Sequence, residues 1–236
     1  MMSVTRILAP VLCLAACSGS LEPPGPAAQQ EAIAVAGIIE SLDVQLFEEA
    51  FRAGLARPHV RHQRVRRLDQ RGLHLQQQMI QLGTDGLQVV LHSRGDMPDE
   101  PPGDLAQLPR SIMPEESAFL SARFRDEFVF RQLPDTLYWG HPVQIVDVTA
   151  RPGSRQEIKA VRYTIDRATG QLVDYQLTRK NTQMLYSEHS RYRLSLRPGS
   201  ADTWLPYQVD IEVLMRLPPA RTRKFTREIT FSDYES

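Results

Sequence analysis

Only two cysteines occur in 236 residues, Cys13 and Cys17, and both fall at the N-terminus. No disulfide framework can staple the chain, so ordinary apolar burial has to hold it. Neither charge sign prevails: 28 Lys and Arg stand against 28 Asp and Glu. No global field therefore draws nucleic acid or an anionic surface to it, and no nucleic-acid partner is expected. After the first residues no apolar run reaches the roughly 18 residues that a membrane-spanning helix needs. Gly-x-Ser-x-Gly, Gly-x-x-x-x-Gly-Lys and His-Glu-x-x-His are all missing. The six histidines are scattered. Ser187 and His189 share one face of a strand, as polar residues on a wet sheet do. The chain is thus read as a non-enzyme with no catalytic residues, cofactor or metal.

What is present begins with an address. Met1 to Arg6 carries one positive charge, and Ile7 to Ala16 is a compact apolar stretch too short to cross a bilayer. It closes on Leu14-Ala15-Ala16-Cys17, which looks like a bacterial lipobox, the alternatives being an ordinary secretory signal or an N-terminal apolar helix. On the lipobox reading residues 1–16 are removed and Cys17 is lipidated, leaving no cysteine partner for a disulfide. One acyl chain anchors only marginally, at about 0.8 kcal/mol per buried CH₂, whereas two or three anchor stably. Residues 17–30, with Pro23, Pro24, Gly25 and Pro26, read as the lipidated cysteine and a flexible tether.

Residues 31–236 read as one domain, its composition (42% hydrophobic, 24% charged) being that of an ordinary globular chain. From about Tyr138 to Tyr234 it alternates as five or six strands. Val209, Ile211 and Val213 fall on one face with Gln208, Asp210 and Glu212 on the other, a strict period of two. Val173, Tyr175 and Leu177 repeat the pattern, as do Phe225, Ile229 and Phe231. Upstream, Ala28 to Leu55 reads as helix, with Ile38, Leu42, Leu46, Ala50 and Phe51 on its apolar face. Ser41 marks a break, and Pro58 ends the helix. This helix covers the sheet; a movable lid is the sharper reading. His59 to Arg67 is basic and reads as a solvated edge strand with blunting charges, contact with anionic headgroups being the alternative and His59/His62 metal ligation the least favoured. Leu73 to Leu82 and Leu87 to Ser93 form a hairpin through Thr84-Asp85-Gly86, with Leu87, Val89 and Leu91 on one face. Gly95 to Arg110 is a proline-rich loop, Pro114 to Arg123 a short helix, and Phe128 and Phe130 open the next strand. Asp147, among Val143, Ile145, Val146 and Val148, requires a partner if buried and reads as a salt-bridged structural residue.

The order of these pieces resembles the LolA/LolB-like superfamily of bacterial lipoprotein-sorting proteins, with relatives of the RseB N-terminal type. A helix leads to a strand and to the hairpin through Gly83-Thr84-Asp85-Gly86. A loop and helix follow, then Gly140-His141-Pro142-Val143, then Ile165-Asp166-Arg167-Ala168-Thr169-Gly170 as a turn between strands. Trp204-Leu205-Pro206 opens a long strand, and Phe231-Ser232-Asp233-Tyr234 ends the last. The resemblance spans about residues 30–234. It implies an α+β, mostly β fold: a curved antiparallel half-barrel, an unclosed β-barrel, covered by helices. It also implies an envelope lipoprotein, in the outer membrane facing the periplasm, whose apolar cavity takes a lipid or the acyl chain of a lipoprotein. The cavity would be lined by Leu87, Val89, Leu91, Phe128, Phe130, Val173, Tyr175, Leu177, Val209, Ile211, Val213, Phe225, Ile229 and Phe231. The other reading is a sensor or scaffold of the same fold that binds an envelope protein.

Overall fold

A computed structural model of the chain describes residues 24–70, 72–95, 105–113, 118–183, 185–200, 203–217 and 221–234. The leader, Cys17 and the first part of the tether lie outside the described residues. Two helices come first, α1 (Pro26–Glu40) and α2 (Val44–Ala56), followed by β1 (His59–Asp69), β2 (Gly72–Leu82) and β3 (Gln88–Gly95). A short helix, α3 (Leu108–Ile112), precedes a meander: β4 (Phe128–Tyr138), β5 (His141–Ala150), β6 (Ile158–Asp166), β7 (Leu172–Thr182), β8 (Ser187–Pro198), β9 (Trp204–Leu217) and β10 (Arg221–Ser232). All ten strands form one sheet in the order β3-β2-β1-β10-β9-β8-β7-β6-β5-β4, antiparallel throughout, with β3 and β4 left as edges. The fold is therefore an unclosed, mostly β half-barrel with its helices on one side.

Local chemistry explains most of the boundaries. The helix breaks after Ser41 as read, but it is the Asp43 carboxylate that accepts from the backbone N–H groups of Gln45 and Leu46 at 2.9 and 3.2 Å and starts α2 afresh. Ser41 does not cap the second segment; its hydroxyl donates to the Ile38 carbonyl at the end of the first. α1 begins at Pro26, inside the stretch read as tether. The break re-phases the apolar stripe, so Val35, Ala36, Ile39, Phe47 and Phe51 are buried while Leu46 is exposed. Of the helix expected over Pro114 to Arg123, residues 114–117 lie outside the described residues and 118–123 form turns, while a helix stands at Leu108–Ile112. The turn after β6 is built as its residues dictate: Asp166 accepts from the Thr169 hydroxyl at 2.7 Å, and Gly170 adopts φ +70°.

Register tells the two faces apart. Arg131, Asp147, Arg162, Gln176, Arg193, Asp210, Glu228, Arg64, Gln77 and Arg94 are successive cross-strand neighbours, one from each strand. This unbroken polar row crosses the outer face. Within it Arg162 grips Asp147 by two hydrogen bonds of 2.7 Å, so Asp147 is an outward structural ion-pair residue. On the helix side Val146, Tyr163, Tyr175, Leu194, Val209 and Ile229 form the corresponding row, all buried. α1 packs on β4, and α2 on β9 and β7. Phe47 and Phe51 stack, and Phe51 meets Phe231 edge-on at 6.5 Å between centroids.

The approach of α2 to the sheet depends on Gly54, where a Cβ would stand 2.1 Å from Cδ of Pro206. Alanine is the better helix former by about 1 kcal/mol, yet a rigid proline ring cannot yield. Gly54→Ala is expected to lower the unfolding free energy by about 1–3 kcal/mol, as overpacking does, measured by urea denaturation. A stabilised variant would show that the helix can lift without cost.

Candidate functional site on the inner face

The inner face is not uniform. The buried row of six apolar residues continues on β1, β2 and β3 as Gln63, Gln78 and Ser93. Its neighbouring row runs Leu177, Tyr192, Ile211, Arg227, Val65 and Gln76. Tyr192, Ile211, Val213 and Phe225 on this face are only partly buried. A dry, helix-covered half thus gives way to a row that is apolar on β7–β9, charged at Arg227 on β10, apolar again at Val65 on β1 and polar at Gln76 on β2.

β1 supplies the polar part, and it is an interior strand rather than the expected edge: β10 flanks it on one side and β2 on the other. Its alternation divides the basic cluster. His62, Arg64 and Arg66 point outward, where Arg64 lies 3.7 Å from Glu228. His59, Arg61, Gln63, Val65 and Arg67 share the helix side, in register with Phe231, Ile229, Arg227 and Phe225 of β10. His59 and His62 therefore lie on opposite faces and cannot share a metal. Among the described residues no three His, Cys, Asp or Glu side chains gather as a metal site.

His59 is buried between the rings of Phe231 and Tyr234, with centroids 5.5 and 5.4 Å away. Its Nδ1 lies 2.7 Å from the Arg57 carbonyl, which can only accept, so Nδ1 carries the hydrogen. Burial pushes its pKa down, the Arg57 hydrogen bond opposes this, and the charge of Arg61 adds to the fall. Arg61 is buried with its Nε unpartnered. Burial lowers its pKa too, helped by the nearby Arg227, whose Nη2 donates to Gln63 Oε1 at 3.1 Å. Tyr234 closes this end through its hydroxyl, which donates to the Pro206 carbonyl at 2.8 Å.

The residues expected to line a cavity fall into three groups. Phe128, Phe130, Val173, Tyr175, Leu177, Val209, Ile229 and Phe231 are buried on the helix side and belong to the packed core. Ile211, Val213 and Phe225 lie on the same face and are half-buried. Leu87, Val89 and Leu91 are exposed at the β3 end of the sheet and do not join them. Val90, opposite the inner-face residue Ile80, has the parity they lack, because a bulge between Met79 and Ile80 shifts the register. A separate cleft of about 230 Å³ lies between α1 and β4, walled by Ala28, Ala32, Ile33, Phe128 and Phe130. Sequence reasoning missed Arg61, Gln63 and Arg227 as inward residues. The same period of two that placed Phe225 and Ile229 inside also places Arg227 there.

No family model matches the chain, and no curated protein matches it. Among solved structures it is similar to a domain described as an outer-membrane lipoprotein-sorting protein from Vibrio parahaemolyticus, at 9% identity and TM-score 0.29, covering 86% of this chain and 92% of that one. It is also similar to a DUF1329 family protein from Desulfovibrio piger (11%, TM-score 0.24, covering 91% and 94%). A third is from the Pseudomonas aeruginosa MucA/MucB complex (9%, TM-score 0.23, covering 86% and 100%). At such values these likenesses carry no inference about family, ligand or partner.

His59 gives a test of this end of the site. Its folded pKa lies below the unfolded value of about 6.5, so folding disfavours the charged ring. Its contribution is complete above that pH and is lost as pH falls through the unfolded value towards the folded one. Wild type should lose denaturant stability between pH 7.5 and 5, and His59→Phe should lose measurably less over the same range. Equal slopes would rule out His59 as the source.

Proposed function

We propose that the chain is a bacterial envelope lipoprotein, anchored through Cys17, that binds the acyl chain of a lipid or lipoprotein on the inner face of its half-barrel. The observation that carries this reading is the strip of Tyr192, Ile211, Val213 and Phe225. These are apolar or aromatic side chains on the core side of the sheet, in the layer that elsewhere is sealed by helices, yet they keep contact with solvent. Apolar surface left open inside an otherwise dry layer gains about 25 cal/mol per Å² when a chain covers it. The role is binding and transfer by hydrophobic contact, and it requires no cofactor.

The strip and the cleft under α1 can be told apart. Saturable binding of Nile red and its displacement by hexadecanoate are expected for the wild type. Val213→Asp should weaken displacement tenfold or more, while Ala32→Trp in the α1–β4 cleft should leave it unchanged. The reverse result would move the chain under α1, and no saturable binding at all would remove the acyl reading.

A second reading, a protein-binding scaffold, is favoured by the β3 edge. All of β3 is exposed, with Val89, Val90 and Leu91 at 54%, 54% and 47%. An open apolar edge is a template for strand addition. The β4 edge is managed differently: Pro134 offers no N–H, and the N–H of Gln132 reaches Glu31 of α1 at 3.4 Å.

A further inference from the structure

The least expected group in this sheet is a buried guanidinium with no counter-ion among the described residues. Arg61 is 8% exposed, its Nε is enclosed without a partner, and the side chain makes no ion pair or hydrogen bond with the described residues. Buried polar atoms are nearly always bonded, and a buried charge left alone is among the costliest features a fold can carry. The surroundings do not relieve it. Its cross-strand neighbours are Phe231 and Ile80, and its neighbours on the same face of β1 are His59 and Gln63. A second cation, Arg227, stands two rows further along the same face, opposite Val65, and its charge lowers the pKa of Arg61 after burial has done so.

The outer face shows the contrast. There Arg162 meets Asp147, Arg64 meets Glu228, and Arg193 meets Asp174. Acids thus stand beside arginines across the outer face, even where Asp174 is buried, and among the described residues none stands beside Arg61. An anion brought by a ligand completes that arrangement. Arg67 and Phe225, which face each other, stand six residues along β1 from Arg61, or ~20 Å of strand. Between these limits the same face carries Val65, Ile211, Val209 and Ile229, with Gln63 and Arg227 among them, so apolar side chains stand along β9 and β10 between Phe225 and the guanidinium.

We propose that Arg61 takes the anionic end, a carboxylate or a phosphate monoester, of an amphiphile whose chain lies along the Tyr192–Ile211–Val213 strip. Arg227 stands behind it as a second cation. The planar guanidinium fork matches either oxyanion by two parallel N–H···O bonds, and its desolvation is already met in the folded protein. This deepens the acyl-chain reading and rests on it.

The test is displacement of Nile red from the full chain by hexadecanoate, hexadecyl phosphate and hexadecan-1-ol. Wild type should bind one or both anions at least tenfold more tightly than the alcohol. Arg61→Met should bring the three ligands within threefold of one another while alcohol binding is kept, and Arg61→Lys should retain part of the preference. A wild type that binds acid, phosphate and alcohol equally overturns the role of Arg61 and leaves the acyl reading standing. A chain that binds none of the three overturns both. Ligand-free thermal unfolding is a second readout. Removing an uncompensated buried charge should raise the midpoint of Arg61→Met above wild type, and a lowered midpoint would mean that Arg61 is already satisfied within the protein.

Discussion

β1 lies against β10, and that single antiparallel pairing joins two parts of the chain that local contacts would leave apart. The N-terminal helices and the β1–β3 sheet come from the first 95 residues, whereas β4–β10 is a meander of sequential hairpins. Only the register running from Val60 opposite Ser232 to Leu68 opposite Lys224 makes them one surface. A slip of one residue would turn Ile229 and Phe231 to water and bring Glu228 against α2. The aromatic contacts of Phe231 with Phe51 and His59 resist such a slip, because they bind helix, first strand and last strand together. Everything said of the inner face follows from this register.

The inner face then divides according to what the helices reach. α2 packs on β7 and β9 and brings Phe47 and Phe51 down onto them. Towards β1 and β2 glutamine, arginine and histidine take inward positions beside Val65 and Ile80. The valine and leucine of β5–β9 do not continue across the sheet. Instead the chemistry becomes amphiphilic along one line, with half-buried apolar side chains beside the buried Arg61 and the half-buried Arg227. That is the property on which both the acyl-chain reading and the placing of its charged end depend.

Much of this was legible in the residues. The alternation of Val209, Ile211 and Val213 and of Phe225, Ile229 and Phe231 places them all on the core side, and Asp147 is the salt-bridged structural residue it reads as, although it lies in the polar outer row between Arg131 and Arg162. The unclosed sheet and its helical cover match the order of elements. What failed did so for identifiable reasons. Arginine and histidine count as wet by composition, yet strand parity overrides composition, so His59 and Arg61 are buried and β1 is internal. Asp43 outcompeted Ser41 as a helix start and turned Leu46 outward. The bulge after Met79 reversed the parity on which Val89 and Leu91 had been assigned. Parity is local and readable; a bulge, or the choice of which strand closes onto the first, depends on partners that one stretch of sequence does not contain.

The unlike edges of the sheet bear on how many copies can associate. β4 is closed to new strands by Pro134 and by the reach of Glu31 from α1, while β3 is open. If two copies met edge to edge through β3 about a twofold axis, each would use its one available margin, and the joined sheet would end on β4 at both extremes. The stoichiometry would stop at two, so an exposed edge that in a symmetric sheet would seed a fibre has here a built-in terminus.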